Sequence, residues 1–253
     1  MGTTKFVIFT LPRTGSTLLS KSLNKHPEIF CDDEIFHFSF RDYFSPHQFR
    51  FWKFKFVSKK INYVINYPRT FFILKTYLDD FFTNASTENF RARGFKLMYY
   101  QTFYTPGLLS YLTRNHIKVI LLIRENVFRN AISDLRARAT GIYHYQDDGE
   151  PSQPLSKLLV DTNALQGKMQ HIIDQNKKLE AIVSGMDHIK IRYEDLSDWD
   201  DAIRRITDFL GVSNVQVPEA ARKLNPESIS DMIENVDEVR TWLQKNGYAR
   251  FEN

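Results

Sequence analysis

A single cysteine, Cys31, among 253 residues excludes an internal disulfide and fits a reducing compartment. No apolar run has the length of a membrane-spanning helix, and the chain enters a short strand pattern straight after Lys5. Neither a span nor a signal peptide is expected, and a cytoplasmic location is. Met1-Gly2 opens like a myristoylation signal, but Phe6 stands where Ser or Thr is required. The Asn84-Ala85-Ser86 sequon is idle in such a compartment. No Pro/Gly-rich linker, charge block, internal repeat or low-complexity tract divides the sequence, which predicts one domain over residues 1–253. His26, His37 and His47 form no recognised ligand spacing, so no metal is expected.

A further absence lies in the most informative stretch, Thr10-Leu11-Pro12-Arg13-Thr14-Gly15-Ser16-Thr17-Leu18-Leu19. It follows the apolar run Phe6-Val7-Ile8-Phe9 and precedes a helical pattern. Strand, tight loop and helix in that order put backbone N–H groups and the positive helix end where a phosphate or sulfate can sit. A nucleoside triphosphate loop of the form G-x-x-x-x-G-K-[ST] would carry glycine at Thr10 and lysine at Ser16. Both are missing. The chain keeps Gly15 to let the backbone bend, adds Arg13, and offers hydroxyls at Thr14, Ser16 and Thr17. Those groups suit an anionic donor other than a triphosphate.

The second anion signal is the strand pattern Val119-Ile120-Leu121-Leu122-Ile123 ending in Arg124, where a nucleoside triphosphatase often places a magnesium-organising aspartate. An arginine at a strand tip, with Ser133 on the helix that follows, suits a phosphomonoester: the guanidinium gives a planar fork and the serine another donor. Two anion sites on neighbouring strand tips imply a ligand with two separated anionic groups. The net charge of +4 agrees with a polyanionic ligand without requiring one.

Strand patterns at 5–9, 92–98, 117–123 and 188–192 alternate with helical spacing at 155–183 and 202–210. Right-handed βαβ units follow, giving an α/β fold with a central parallel sheet flanked by helices and ligands at the carboxyl ends of the strands.

On these residues the chain resembles the sulfotransferases that use 3′-phosphoadenosine 5′-phosphosulfate (PAPS). PRTGSTLL is similar to the family's 5′-phosphosulfate motif in the arginine form of bacterial carbohydrate sulfotransferases. IRENVFRNAISD resembles the 3′-phosphate motif, onto which Arg124 and Ser133 map. The segment from His26 to Phe36 resembles the one that delivers a catalytic glutamate in Golgi-type and bacterial members. Gly94-Phe95-Lys96-Leu97-Met98 and Ile191-Arg192-Tyr193-Glu194-Asp195-Leu196 also look familial. No counterpart to the glycine-rich adenine loop of cytosolic members is present.

The resemblance implies a P-loop-like architecture, PAPS as co-substrate without a metal, and transfer of a sulfuryl group to a hydroxyl. It assigns Arg13, Thr14, Gly15, Ser16, Thr17, Arg124 and Ser133 to the nucleotide, and Arg13 and Lys96 to the transferred sulfonate or leaving group. By spacing alone Lys96 would be an exposed position on a half-buried strand. The base is expected at Glu34, among Ile35, Phe36 and Phe38; Asp32 and Asp33 are nearby acids, and His37 is the competitor because cytosolic members use histidine. Acids of Tyr193-Glu194-Asp195 are expected to cap the next helix, and the region around Trp242 and Tyr248 to lie over the nucleotide by resemblance alone.

Between Arg41 and Lys60, basic residues alternate with Tyr43, Phe44, Phe49, Phe51, Trp52, Phe54 and Phe56. A helical insertion at about 38–90 is expected to cover the acceptor side, facing a small-molecule, glycan or lipid hydroxyl or a membrane surface, or to be a solvated cover. No nucleic-acid motif is present, so no nucleic acid is expected as partner; the oligomeric state is not readable. An atypical P-loop kinase and a noncatalytic adenylate- or RNA-binding module remain the two other classes that these residues fit.

Overall fold

The apolar runs at 6–9 and 119–123 lack polar alternation because they lie in the middle of a sheet covered on both faces. In the computed structural model, which describes residues 2–37, 47–49, 60–83, 90–141, 157–220 and 228–251, the chain runs β1 (Thr4–Thr10), α1 (Ser16–Leu23), β2 (Ile29–Asp32), α2 (Lys60–Thr83), β3 (Ala92–Met98), α3 (Gln101–Tyr104), α4 (Leu108–Arg114), β4 (Lys118–Ile123), α5 (Val127–Thr140), α6 (Thr162–Val183), β5 (His188–Arg192), α7 (Trp199–Leu210), α8 (Ile229–Met232) and α9 (Val236–Lys245). The five strands are all parallel, in the order β2-β3-β1-β4-β5.

Alternate residues of β1 serve two cores. Val7 and Phe9 face a cluster with Phe95, Leu97, Val119, Leu121, Leu74 and Leu165, while Phe6 and Ile8 face Leu19, Leu23, Ile120, Leu122, Ile203 and Ile206. Thus α1 and α7 cover one face, and α2, α5 and α6 the other. The chain leaves β1 through α1 toward β2, and leaves β4 through α5 and α6 toward β5. The two connections diverge, which opens a crevice at the carboxyl ends of β1 and β4.

The strand β2 has no separate strand signal in the sequence. It is four residues long at the sheet edge and pairs with β3 alone. Asn24 completes its outer edge: its amide donates to the Cys31 carbonyl at 2.5 Å and accepts from the Cys31 N–H at 2.7 Å, which blunts a pairing-competent edge. His26 is likewise a buried structural group, accepting from the Glu28 N–H at 3.0 Å through Nδ1 and lying 2.8 Å from the Ser213 carbonyl through Nε2. Cys31 is buried, and burial first, then the Asp33 and Asp32 carboxylates, push its thiol well up in pKa.

Boundaries shift where caps act. Helical spacing begins at 155, but α6 starts at Thr162 because the Asp161 side chain accepts from Asn163 and Ala164. Of the acids in Tyr193-Glu194-Asp195, Asp195 caps the 3₁₀ turn Tyr193–Ser197 that follows β5, accepting from the Arg192 N–H at 3.0 Å, while the cap of α7 is Asp198, which accepts from Asp201. Most of the 41–60 aromatic and basic run, the 84–86 sequon and residues 225–227 lie outside the described residues. No described helix is long and apolar enough to cross a membrane.

Gly94 on β3 is paired with Phe6 on β1, and an added Cβ would sit 2.4 Å from the Phe6 carbonyl oxygen, a backbone atom that cannot move aside. Gly94→Ala should lower stability by about 1–3 kcal/mol or more through overpacking. Urea unfolding should show a lower midpoint at an unchanged slope; an unaltered midpoint would contradict this packing.

Candidate active site

The loop after β1 is shaped from within. Thr10 donates its hydroxyl to the Leu122 carbonyl on β4 at 2.7 Å, and the Thr14 hydroxyl lies 2.5 Å from Thr10 Oγ1 and 2.9 Å from the Leu11 carbonyl. Thr14, assigned to the nucleotide in the sequence, spends its hydroxyl here on the turn. Arg13 and Gly15 have left-handed backbones, with φ of 66° and 82°. Ser16 and Thr17 begin α1, whose first turn has no side-chain cap and no acidic residue, leaving its N-terminal N–H groups for an anion.

Gly15 is required for space as well as for φ. An added Cβ would lie 2.7 Å from the Tyr193 ring. The same ring carries the Arg124 guanidinium over its face, 4.4 Å from the centroid. Arg124 is 7% exposed and donates through Nη1 to the Arg13 carbonyl at 3.3 Å. Its buried Nε has no hydrogen-bond partner, and among the described residues no carboxylate lies within ion-pair distance of it. Burial pulls its pKa below the ordinary arginine value. A buried cation in this condition carries a desolvation cost that its own contacts do not fully offset.

The helix α5 stitches this side together. Arg13 Nε donates to Ser133 Oγ at 3.0 Å, and Asn130 Nδ2 donates to the Pro12 carbonyl at 3.4 Å. Asn126 caps α5 by accepting from Arg129. The Glu194 carboxylate accepts from the N–H groups of Glu125 and Asn126 at 3.1 and 3.0 Å, fixing the turn after Arg124. The stacked rings of Trp242, Tyr248 and Phe251 reach this turn, where Asn126 donates to the Phe251 carbonyl at 3.0 Å.

A second cluster occupies the carboxyl ends of β3 and β2. Lys96 is 1% exposed, against the exposed position that spacing alone suggested, because β3 lies between β2 and β1 with both faces covered. Its Nζ donates to Thr17 Oγ1 at 3.0 Å and lies 2.5 Å from Asp33 Oδ1 and 3.3 Å from Glu34 Oε1. Glu34 is buried and accepts at Oε2 from Tyr100 OH at 3.1 Å and Gln101 Nε2 at 2.8 Å. Asp32 is committed elsewhere, 2.6 Å from His47 Nδ1. His37 follows Glu34 in a turn, donating its N–H to the Glu34 carbonyl at 2.9 Å and accepting from Gln48 at 2.8 Å.

The fold thus gathers the residues singled out in the sequence into two groups: Arg13, Ser133 and Arg124 across the crevice, and Thr17, Lys96 and Glu34 beside it. Arg13 reaches toward Ser133, on the Arg124 side. Sequence reading missed Tyr193 as a contact of both Gly15 and Arg124, Asn130 three residues before Ser133 on the same helical face, and the pair Tyr100 and Gln101. The rule that ligands sit beyond the carboxyl ends of parallel strands would have directed attention to Tyr100 and Gln101, just past β3. Among the described residues no group of three His, Cys, Asp or Glu could hold a metal.

Comparison with known proteins gives one family. A family model described as "Sulfotransferase family" matches residues 6–216. No curated protein matches the sequence at a significant level. Among solved structures, a sulfotransferase from Alicyclobacillus acidocaldarius is 15% identical with a TM-score of 0.51, over 99% of this chain and 93% of that one, which shows a shared fold. A sulfotransferase domain from the curacin biosynthetic pathway is 17% identical with a TM-score of 0.49, over 92% of this chain and 81% of that one.

The contact between Gly15 and Tyr193 separates two effects of substitution. Gly211 also has a positive φ, 72°, but open space around it. Gly211→Ala should lose about 1 kcal/mol from backbone strain alone, and Gly15→Ala more than that. Thermal unfolding of the two variants side by side checks this; equal losses would mean that the Tyr193 ring yields freely.

Proposed function

The chain belongs to the sulfotransferase family, and from that premise we propose that it transfers a sulfuryl group from PAPS to the hydroxyl of a small-molecule, glycan or lipid acceptor. The observation that supports this most is the pairing of a buried, incompletely partnered Arg124 with a separate Lys96–Glu34 cluster at the same edge of the sheet. A ligand with a 3′-phosphate and a 5′-phosphosulfate carries two anionic groups of the required kind, so the residues fit the donor.

When bound, the donor supplies a sulfuryl group activated by its bond to a phosphate. Arg124 and Ser133 are assigned to the 3′-phosphate. The N-terminal N–H groups of α1, Thr17 and Arg13 are assigned to the phosphosulfate, with Arg13 bridging the two ends. Lys96 stabilises negative charge that grows on the sulfonate and the departing phosphate. Glu34 takes the proton of the attacking hydroxyl. Atoms and charge balance without redox change: one S–O bond forms to the acceptor as another breaks, and the bisphosphate 3′,5′-bisphosphoadenosine (PAP) leaves.

The acceptor side is assigned to the chain beyond β3 and beyond Glu34. Residues 98–107 carry no charge, and Phe103 and Tyr104 are exposed beside Tyr100, whose hydroxyl touches Glu34. Those rings suit an uncharged sugar or apolar face. The basic and aromatic run at 41–60, outside the described residues for the most part, follows Glu34 in sequence and is assigned to the same side.

Two measurements test the reading. Arg124→Ala should weaken PAP binding at least tenfold in calorimetry and Ser133→Ala less, since a hydrogen bond to a charged group is worth about 1.5–3 kcal/mol; unchanged affinity in Arg124→Ala removes the 3′-phosphate assignment. Glu34→Gln should lower kcat for sulfation by about 10²- to 10⁴-fold with PAP affinity near that of the parent, whereas His37→Ala should retain turnover. An inactive His37→Ala beside an active Glu34→Gln would reverse the two roles.

A further inference from the structure

The carboxylate of Glu34 has two oxygens in unlike surroundings. Oε2 accepts from Tyr100 and from Gln101, while among the described residues Oε1 meets only the more distant Lys96 at 3.3 Å. Gln101 is fully buried, and its orientation is set by the backbone: the Met98 N–H donates to Gln101 Oε1 at 3.0 Å, which turns the NH₂ end to Glu34. Tyr100 remains a donor because burial, and then the Glu34 carboxylate, push its phenol far above its usual pKa. The whole turn is anchored to the phosphate loop, where the Tyr99 N–H donates to the Thr10 carbonyl at 2.9 Å.

Resting on the function proposed above, we infer that Tyr100 and Gln101 are positioning residues that grip Glu34 at Oε2 and so reserve Oε1, on the Lys96 side, to receive the acceptor's proton. A carboxylate oxygen offers about two lone-pair directions, and two donors fill those of Oε2. Lys96 leaves room at Oε1, because its shorter contacts are Asp33 at 2.5 Å and Thr17 at 3.0 Å. The proton moves from the acceptor hydroxyl to Oε1 as its oxygen bonds to sulfur; the electrons of the broken S–O bond leave with the phosphate of PAP. The clamp thereby places the proton acceptor beside the cation that steadies the developing charge, and ties both to the loop that holds the donor. Misplacement of a reacting group by about 1 Å is enough to slow a reaction 10²-fold.

The test uses Tyr100→Phe, which removes one hydroxyl, and Gln101→Met, which removes the amide at similar volume, each alone and combined with Glu34→Gln. Sulfation by PAPS is followed with 2-naphthol, a β-galactoside and a long-chain alcohol as acceptors, and PAP binding by calorimetry. Each clamp variant should lose about tenfold or more in kcat with Glu34 present, little in the Glu34→Gln background, and nothing in PAP affinity, since residues acting as a unit are non-additive. If Gln101→Met does not fold, Tyr100→Phe alone carries the comparison. Normal kcat in the clamp variants, or an equal loss in both backgrounds, overturns the clamp while Glu34 keeps its role. A fully active Glu34→Gln, or no sulfation of any acceptor by the parent protein, overturns the underlying function instead.

Discussion

Charge buried at the rim of an apolar sheet must be met by polar partners inside the protein or by a ligand from outside, and the two buried cations of this crevice differ in how far the protein itself meets them. Lys96, at the carboxyl end of β3, is satisfied internally by Thr17, Asp33 and Glu34. Arg124, just past β4, has a carbonyl, an aromatic face and an Nε with no partner. The first arrangement holds a geometry ready before any ligand arrives. The second leaves attraction for an anion unspent, and together they divide the crevice into a poised side and a receptive side.

That division depends on contacts between segments far apart in sequence. Tyr193, just after β5, fills the space that a side chain at Gly15 would need and supports the guanidinium of Arg124. Glu194 beside it fixes the turn that carries Arg124, and α5 returns Asn130 and Ser133 to the loop after β1. Three strand tips thus brace one another through side chains. A cavity or a misplaced ring at any one of them would be felt at the other two, because packed interiors do not deform continuously.

The parts legible in the sequence were those written in local patterns. Continuous apolar runs marked β1 and β4, the mixed pattern Ala92–Met98 marked β3, and the order of strand, loop and helix around Gly15 is found as read. What was not legible came from tertiary contacts. The four residues of β2 are too short and too mixed to stand out, and become a strand only because Asn24 and β3 complete their backbone hydrogen bonds. Lys96 looks like a surface lysine until β2 is placed outside it. The Thr14 hydroxyl is turned to Thr10, an inward contact that the local pattern does not reveal, since the loop must satisfy its own polar groups.

On the function proposed, the two adjacent acids Asp33 and Glu34 show why a base beside a lysine needs company. A lone carboxylate facing a buried ammonium would form a full ion pair, and the pairing would hold its electron pairs away from any hydroxyl. Here Asp33 takes the shorter contact with Lys96, at 2.5 Å, and Glu34 stands back at 3.3 Å. The side chain of Asp33 is 34% exposed against 9% for Glu34, so the outer acid neutralises the cation while the inner one is shaped by Tyr100 and Gln101. On the function proposed, the lysine then has charge to lend to a departing phosphate only as far as it loosens from Asp33. An arriving donor anion supplies the competition that loosens it.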